Sequence, residues 1–404
     1  MKLKLLICLL LALLLPACNV GFGAQNSFST PSISSDISAL ASSSVSSALS
    51  EEEPVLIYRN NDILKQLNAT QLEQVRYLDE NTAYIFAFYF DDNVDLGTGK
   101  GEGILARYKI DSNEVKVLHR QRMSIDAGQE LKVEAVADGS VVVFNGWGVY
   151  SVFEDDTVEY TELEERFRET PFLDIQNKRL AYADKIFDRN TGETIILYPS
   201  IFKEYEGGRG YSSEGAFLPK ISPNGERVMF QHVFGGGMGF KRIICTDLKG
   251  KQIFKTEEIE RISSELHMGW LQDKINTVQN RDTHSNADDD YSSLFTLYDE
   301  AGKLEKRFEI STPIGLMQQT PNNSSNKVSF YFNDYQIKKW DCSLGIVDFD
   351  TGSAKEVYRS PNIIVSHDLS PSGEKLIWLE QNALCELELA NAKPSDIPII
   401  KEVS

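Results

Sequence analysis

Through most of this chain apolar and polar positions alternate with a period of two, as in Leu294-Phe295-Thr296-Leu297-Tyr298 and Leu344-Gly345-Ile346-Val347-Asp348-Phe349. That period belongs to a β-strand with one face against a core. Short turns rich in Asn, Asp and Gly separate the runs, which is the hairpin pattern. Two runs share nearly the same lead-in. Ile221-Ser222-Pro223-Asn224-Gly225 precedes one, and Leu369-Ser370-Pro371-Ser372-Gly373 precedes the other. Each reads as a strand end, a tight turn and a β-branched or aromatic strand.

Weaker copies of the unit extend the series to seven. Each copy predicts strand, tight turn, strand, loop, strand, tight turn, strand. First turns fall near Asn81, Asp138-Gly139, Asn177, Asn224-Gly225, Gln272-Asp273, Asn322-Asn323 and Ser372-Gly373. Second turns fall at Asp111-Ser112-Asn113, Asn190-Thr191-Gly192, Leu248-Lys249-Gly250, Glu300-Ala301-Gly302 and Asp350-Thr351-Gly352. The later spacing, about 48 residues, lies near that of a four-stranded propeller blade. The expected fold is therefore an all-β, seven-bladed β-propeller of four-stranded antiparallel blades, with six blades as the alternative. Radial repetition closes such a sheet series with few open edges. Residues 54–59 are expected to share a blade with strands near 397–403. Residues 63–74 are the best helix candidate.

Strand reversal sends the tight turns to one face and the longer connections to the other. Residues 91–102, 203–215, 232–240, 282–291 and 333–341 make up the long-loop set. Long loops on a rigid scaffold are where binding usually resides. The candidate binding residues are Arg209, Tyr211, His232, Asp288, Tyr335 and Trp340. Aromatics there suit a peptide or sugar platform or inter-blade packing.

The Ser-Pro-Asn-Gly and Ser-Pro-Ser-Gly turns, each followed by an apolar strand, resemble the TolB-like propeller repeat. A similar repeat occurs in the propeller domains of prolyl-oligopeptidase relatives. The resemblance covers residues 54–404 as architecture. It implies no single activity, because propellers host enzymes, scaffolds and receptors.

The first fifty residues follow another pattern. Lys2 and Lys4 precede an apolar run over residues 5–15, too short to span a bilayer as a helix. Leu15-Pro16-Ala17-Cys18 ends it. Leu15, Ala17 and Cys18 resemble the lipobox of bacterial lipoproteins, while Pro16 stands where a small or hydroxyl residue is usual. The resemblance implies a signal peptide over residues 1–17 and acylation (palmitate-type chains) at Cys18; ordinary cleavage after Ala24 is the alternative. Two acyl chains hold a membrane stably where one does not. Residues 18–53 are Ser-rich and nearly free of aromatics, which reads as a flexible tether. Residues 54–404 form the expected propeller, lipid-anchored in the cell envelope outside the cytoplasm.

The formal charge is −19. Loss of Lys2 and Lys4 leaves 39 bases against 60 acids, or −21. That opposes nucleic acid and anionic surfaces as partners. Beyond the leader and Cys18 there remain Cys245, Cys342 and Cys385, an odd number that excludes a full disulfide framework and suits small buried hydrophobes.

Catalytic signals are weak. Gly97-Thr98-Gly99-Lys100-Gly101 lacks Walker spacing, and a strand is expected after it where a phosphate loop needs a helix. The acidic stretch 282–290 lacks the central Gly and the downstream Glu of a calcium hand, so it reads as a solvated loop. His119, His232, His267, His284 and His367 show no paired metal spacing. His232, His284 and His367 are expected near the long-loop face and His267 in a link between blades. No Gly-x-Ser-x-Gly elbow occurs. The expected function is a monomeric, non-enzymatic propeller, without cofactor or metal, that binds a protein, peptide or glycan. A propeller enzyme such as a lactonase or glycan-acting enzyme is the alternative.

Overall fold

The computed structural model describes residues 57–90, 100–124, 132–136, 140–144, 148–153, 155–162, 173–176, 178–182, 185–197, 201–204, 211–234, 240–257, 259–260, 266–282, 291–312, 314–315, 317–318, 324–333, 342–380 and 382–402. The compact unit considered is Pro54–Ser404.

Seven antiparallel sheets follow one another along the chain. Blade 1 comprises Gln71–Asp79, Thr82–Phe90, Lys100–Lys109 and Glu114–Ser124. Blade 2 comprises Lys132–Ala135, Val141–Phe144, Gly148–Val152 and Val158–Glu162. Blade 3 has four short strands, Leu173–Gln176, Arg179–Tyr182, Lys185–Asp188 and Thr194–Ile196. Blade 4 is built on Tyr211–Ile221, Arg227–Phe234, Phe240–Asp247 and Gln252–Lys255. Blade 5 has Leu266–Leu271, Lys274–Asp282, Tyr291–Tyr298 and Leu304–Ile310. Blade 6 has Met317–Gln318, Lys327–Asn333, Cys342–Asp348 and Ser353–Ser360. Blade 7 takes Ile364–Leu369, Lys375–Glu380 and Ala383–Glu388 from the end of the chain and Ile57–Asn60 from its beginning. The fold is a seven-bladed β-propeller, as the repeat predicts, and the six-bladed count is set aside.

The manner of closure differs from expectation. Ile57–Asn60 pairs with Ala383–Glu388, in the register Ile57↔Leu387 to Asn60↔Leu384, and not with the last strand of the chain. After Glu388 a 3-10 turn, Leu389–Asn391, ends the blade. The tail then runs back along neighbouring edges. Ser395–Asp396 adds to blade 6 beside Ser353–Ser360, and Ile399–Glu402 adds to blade 5 beside Leu304–Ile310. Pro394 and Pro398 suit this course, since an edge strand tolerates a missing N–H. Two outer edges are thereby covered.

The helix expected over residues 63–74 is a single turn, Ile63–Leu67. Ile63 and Leu67, one turn apart, are both fully buried. Asn68 at φ 49 ends it in the left-handed region that Asn tolerates. Alternation then resumes, with Leu72, Val75 and Tyr77 buried in the innermost strand of blade 1.

The core lies between blades. One cluster joins Tyr77, Ile85 and Tyr108 of blade 1 to Ile377, Leu379 and Leu384 of blade 7, with Ile63 and Leu67. Phe295 and Phe308 of blade 5 pack on Phe330 and Phe349 of blade 6, with Phe295 centroids 5.6 to 6.3 Å from the other three. Each such contact removes apolar area from water at both sheets, so neighbouring blades stabilise one another.

Candidate binding face

The Ser-Pro turns show what the repeat does. In the first, Ser222 N–H donates to Arg227 O at 2.9 Å, Ser222 Oγ accepts from Arg227 N–H at 3.0 Å, and Gly225 N–H donates to Ser222 O at 2.8 Å. Ser370, Gly373 and Lys375 repeat the three bonds at 2.9, 3.2 and 2.8 Å. Gly225 and Gly373 sit at φ +73 and +71, which glycine adopts without strain. A second clasp was not recognised in the sequence. Asp188, Asp247, Asp299 and Asp348 each close the later turn of a blade by accepting backbone N–H bonds, as Asp299 Oδ1 does from Ala301 at 2.9 Å and Lys303 at 2.7 Å. The signal was present as an Asp three or four residues before the turn glycine.

These turns then bond to their neighbours around the ring. Ser372 N–H and Oγ–H donate to Glu80 at 2.5 and 3.0 Å, joining blades 7 and 1. Arg107 pairs with Asp156 at 3.0 Å across blades 1 and 2. Arg189 reaches Ser151 Oγ at 3.0 Å across blades 2 and 3. Arg179 donates to Gly225 O at 2.9 Å, Arg227 to Glu300 O at 3.2 Å, Lys306 to Asp350 O at 3.0 Å, and Ser324 to Pro371 O at 2.8 Å. All seven junctions carry such a bond on the tight-turn face.

The first and second strands of the blades spend polar groups the same way. Asp368 Oδ2 accepts from Tyr77 N–H at 2.8 Å and Ser366 Oγ from Val75 N–H at 3.2 Å. Gln74 Oε1 accepts from Val133 N–H at 3.2 Å, and Gln231 Nε2 donates to Leu266 O at 2.6 Å. Ser329 Oγ lies 3.0 Å from His367 Nδ1. This Ser-His pair has the spacing of a nucleophile and base, but both residues are buried, so it ties blade 6 to blade 7 away from solvent.

The closing blade holds the most constrained carboxylate. Glu380 is 1 % exposed and accepts from Tyr358 OH at 2.7 Å, Ser360 Oγ at 2.8 Å, Asn362 Nδ2 at 2.6 Å, Trp378 Nε1 at 3.3 Å and Arg59 Nη1 at 3.4 Å. Burial alone raises its pKa, but the bonds from Asn362, Tyr358, Ser360 and Trp378 outweigh it and hold the carboxyl below the ordinary carboxylate value. Five donors occupy the roughly four lone-pair sites of a carboxylate, so Glu380 has no capacity left for proton transfer to a ligand. It pins the N-terminal strand, blade 6 and blade 7 together.

Of the sequence candidates, Cys18, Arg209, Asp288, Tyr335 and Trp340 lie outside the described residues. Tyr211, expected in the loop 203–215, instead begins the strand Tyr211–Ile221 and pairs with Glu204 of an added strand, Ile201–Glu204. His232 is fully buried in the second strand of blade 4, where Arg242 Nε donates to its Nδ1 at 3.1 Å, so its ring is in the interior and not on the loop surface. His267, expected in a link, is the second residue of blade 5's inner strand. His119 lies on the outer strand of blade 1 against Tyr150, ring centroids 4.9 Å apart, and burial lowers its pKa. Cys245, Cys342 and Cys385 are free and buried, as read from the sequence. Burial pushes the Cys245 and Cys385 thiols up to about 12. Among the described residues no group of three or more His, Cys, Asp or Glu could hold a metal ion. The sequence had not marked Tyr89, Ile363 and Val365. They stand exposed at the opposite ends of the blade 1 and blade 7 strands, on the side away from the tight turns.

This architecture defines the class: the chain is a β-propeller protein with four-stranded blades. No family model and no curated protein matches it. Among solved structures it is similar to a catalytically inactive virginiamycin B lyase from Staphylococcus aureus, crystallised with quinupristin. The identity is 10 %, over 82 % of this chain and 99 % of that one, with a TM-score of 0.46. It is also similar to a streptogramin B lyase (9 %, 74 % and 97 % covered, TM-score 0.39) and to the C-terminal WD40 domain of Sif2 (10 %, 79 % and 97 %, TM-score 0.42). These neighbours include enzymes and a WD40 domain, and the likeness extends to the propeller form alone.

Proposed function

We propose that the chain is a non-catalytic binding head, lipid-anchored through Cys18 outside the cytoplasmic membrane, that engages a protein, peptide or glycan on the face opposite its tight turns. The observation that carries the reading is the commitment of the tight-turn face. At all seven junctions its side chains and turn carbonyls are consumed in blade-to-blade bonds. Such a frame fixes the spacing of whatever the other face presents, and preorganisation of this kind lowers the cost of binding. Exposed Tyr89, Ile363 and Val365 supply apolar surface there.

The test is capture from envelope extract by the full chain, compared with a chain carrying Tyr211→Ala and Trp340→Ala. The reading expects a partner that the double variant loses. Equal capture by both forms, with loss on substitution at Asn224 or Ser372 in a folded chain, puts the site on the wrong face. Turnover of a lactone or glycan by a chain that captures nothing replaces the reading with an enzymatic one.

A further inference from the structure

The first Ser-Pro turn carries an amide that the second does without. Asn224 stands exposed ahead of buried Gly225, and Ser372 fills the same place before Gly373. Both turns make the same backbone bond, Gly225 N–H donating to Ser222 O and Gly373 N–H to Ser370 O, each at 2.8 Å. Both also hold the N–H two residues on by a side-chain oxygen. Glu226 N–H donates to Asn224 Oδ1 at 3.0 Å, and Glu374 N–H to Ser372 Oγ at 3.3 Å. A hydroxyl therefore suffices for the turn, and the amide at 224 brings a reactivity that the fold does not require.

An Asn side chain followed by Gly is open to attack by the next backbone nitrogen, because glycine has no Cβ to hinder the approach. The Gly225 nitrogen, once deprotonated, forms a bond to Asn224 Cγ. The Cγ–Nδ2 bond breaks and ammonia leaves, carrying the proton. Water then opens the cyclic imide at either carbonyl and leaves aspartate or isoaspartate at position 224. The reaction consumes water alone and involves no change of oxidation state. In the folded turn the Gly225 N–H is bonded to Ser222 O, a neutral carbonyl that does not take the proton. The amide is held at both ends as well. Ser222 Oγ lies 2.6 Å from Asn224 Oδ1, and Asn224 Nδ2 donates to Asp273 Oδ1 of blade 5 at 3.2 Å. Reaction therefore waits on local opening of the turn.

We propose that Asn224 is a self-modification site, converted by water to aspartate or isoaspartate with loss of ammonia, and that the Ser222 turn sets its rate by keeping Gly225 N–H bonded. Either product loses the Nδ2 donor and sets a carboxylate beside Asp273. A bond between blades 4 and 5 is thereby exchanged for a repulsion. Because conversion follows opening and is not reversed by closing, the residue keeps a record of how long the turn has stood open. The site lies on the tight-turn face and stands whether or not the opposite face binds a partner.

The experiment holds the full chain at mildly alkaline pH and follows residue 224 by mass spectrometry. Trypsin releases the peptide 221–227, in which Asn224 is the single amide side chain, and chromatography separates the isoaspartate form. Wild type is expected to convert slowly in native buffer and several-fold faster in urea. Ser222→Ala removes the hydroxyl that accepts Arg227 N–H at 3.0 Å. It should raise the native rate about five-fold, the factor that matches its cost in stability, and leave the rate in urea unchanged. No conversion at 224 in urea overturns the site. Equal wild-type rates in native buffer and urea, or an unchanged native rate in Ser222→Ala, overturn the control by the turn. If Ser222→Ala does not fold, the two wild-type rates decide. The product is tested by Asn224→Asp, which should lower Tm where Asp273 is present and not beside Asp273→Asn; an equal effect in both overturns the repulsion.

Discussion

Glu380 shows how much one side chain can hold. Removing a buried acceptor strands every donor aimed at it, so Glu380→Ala is expected to cost about 3 kcal/mol of stability, read from urea unfolding. Its acid dependence has a defined sign. The folded pKa lies below the ordinary value of 4.5, so the native state binds a proton less readily than the unfolded chain. The contribution is complete above about pH 4.5 and is lost as pH falls through the lower folded value. Glu380→Gln should therefore flatten the acid limb of Tm against pH, and an unchanged limb would show that Glu380 is not its source. Glu386 acts in reverse. Burial raises its carboxyl pKa, with Lys375 only partly offsetting this at 4.0 Å. Its ionised form is strained at neutral pH, and Glu386→Gln should raise Tm at pH 7. Neither role was visible in the sequence, where Glu380 and Glu386 are two acids among many. What distinguishes them is the set of groups brought to them from distant strands.

At the scale of elements, legibility followed range. The Ser-Pro-x-Gly turns were readable because every bond that shapes them lies within six residues. Ser222→Ala and Ser370→Ala should each cost about 1 kcal/mol. Gly373→Ala should cost more, about 2 kcal/mol, since it meets both a positive φ and Ser325 Oγ at 2.4 Å from the added Cβ. The one-turn helix was over-read because residues 71–74 satisfy both periods until Val75 and Tyr77 are seen packed on blade 7. The partner of the N-terminal strand was misassigned because two apolar segments near the C-terminus compete for it, and only packing distinguishes them. Ser395–Asp396 and Ile399–Glu402 cover edges instead. A chain ending at Asn391 loses buried Ile397 and bares the outer strands of blades 5 and 6. It should fold with stability reduced by about 2 kcal/mol and self-associate with concentration in sedimentation, as open edges pair.

For the whole molecule, the blade count was legible because the first turn recurs seven times, five of them followed by a second turn, while the chemistry was not, because propeller loops vary independently of the frame. The thiols give a global readout. With burial pushing Cys245 and Cys385 up to about 12, almost no thiolate exists at pH 8 in the folded chain. Labelling of both, followed by mass spectrometry, should track unfolding, and rapid labelling of a folded chain would show that the blades breathe locally. The proposed anchor at Cys18 has its own test. Cys18→Ser should release the protein from membranes or block its processing, and unchanged partitioning into detergent would remove the lipid from the account.

The blade shared by both chain ends also sets a clock. Arg59 and Glu380 are 321 residues apart, so the first strand made must wait for nearly the last. At roughly 10 residues per second, that stretch takes about half a minute to synthesise. The four strands of each of blades 1 to 6 all precede Ile364, so the ring-closing blade is the last to be complete in sequence. Closure therefore requires that the strand Ala383–Glu388 has been made. A chain cut short before Ala383 leaves Ile57–Asn60 without its partner strand, an open edge of the kind that pairs with other chains.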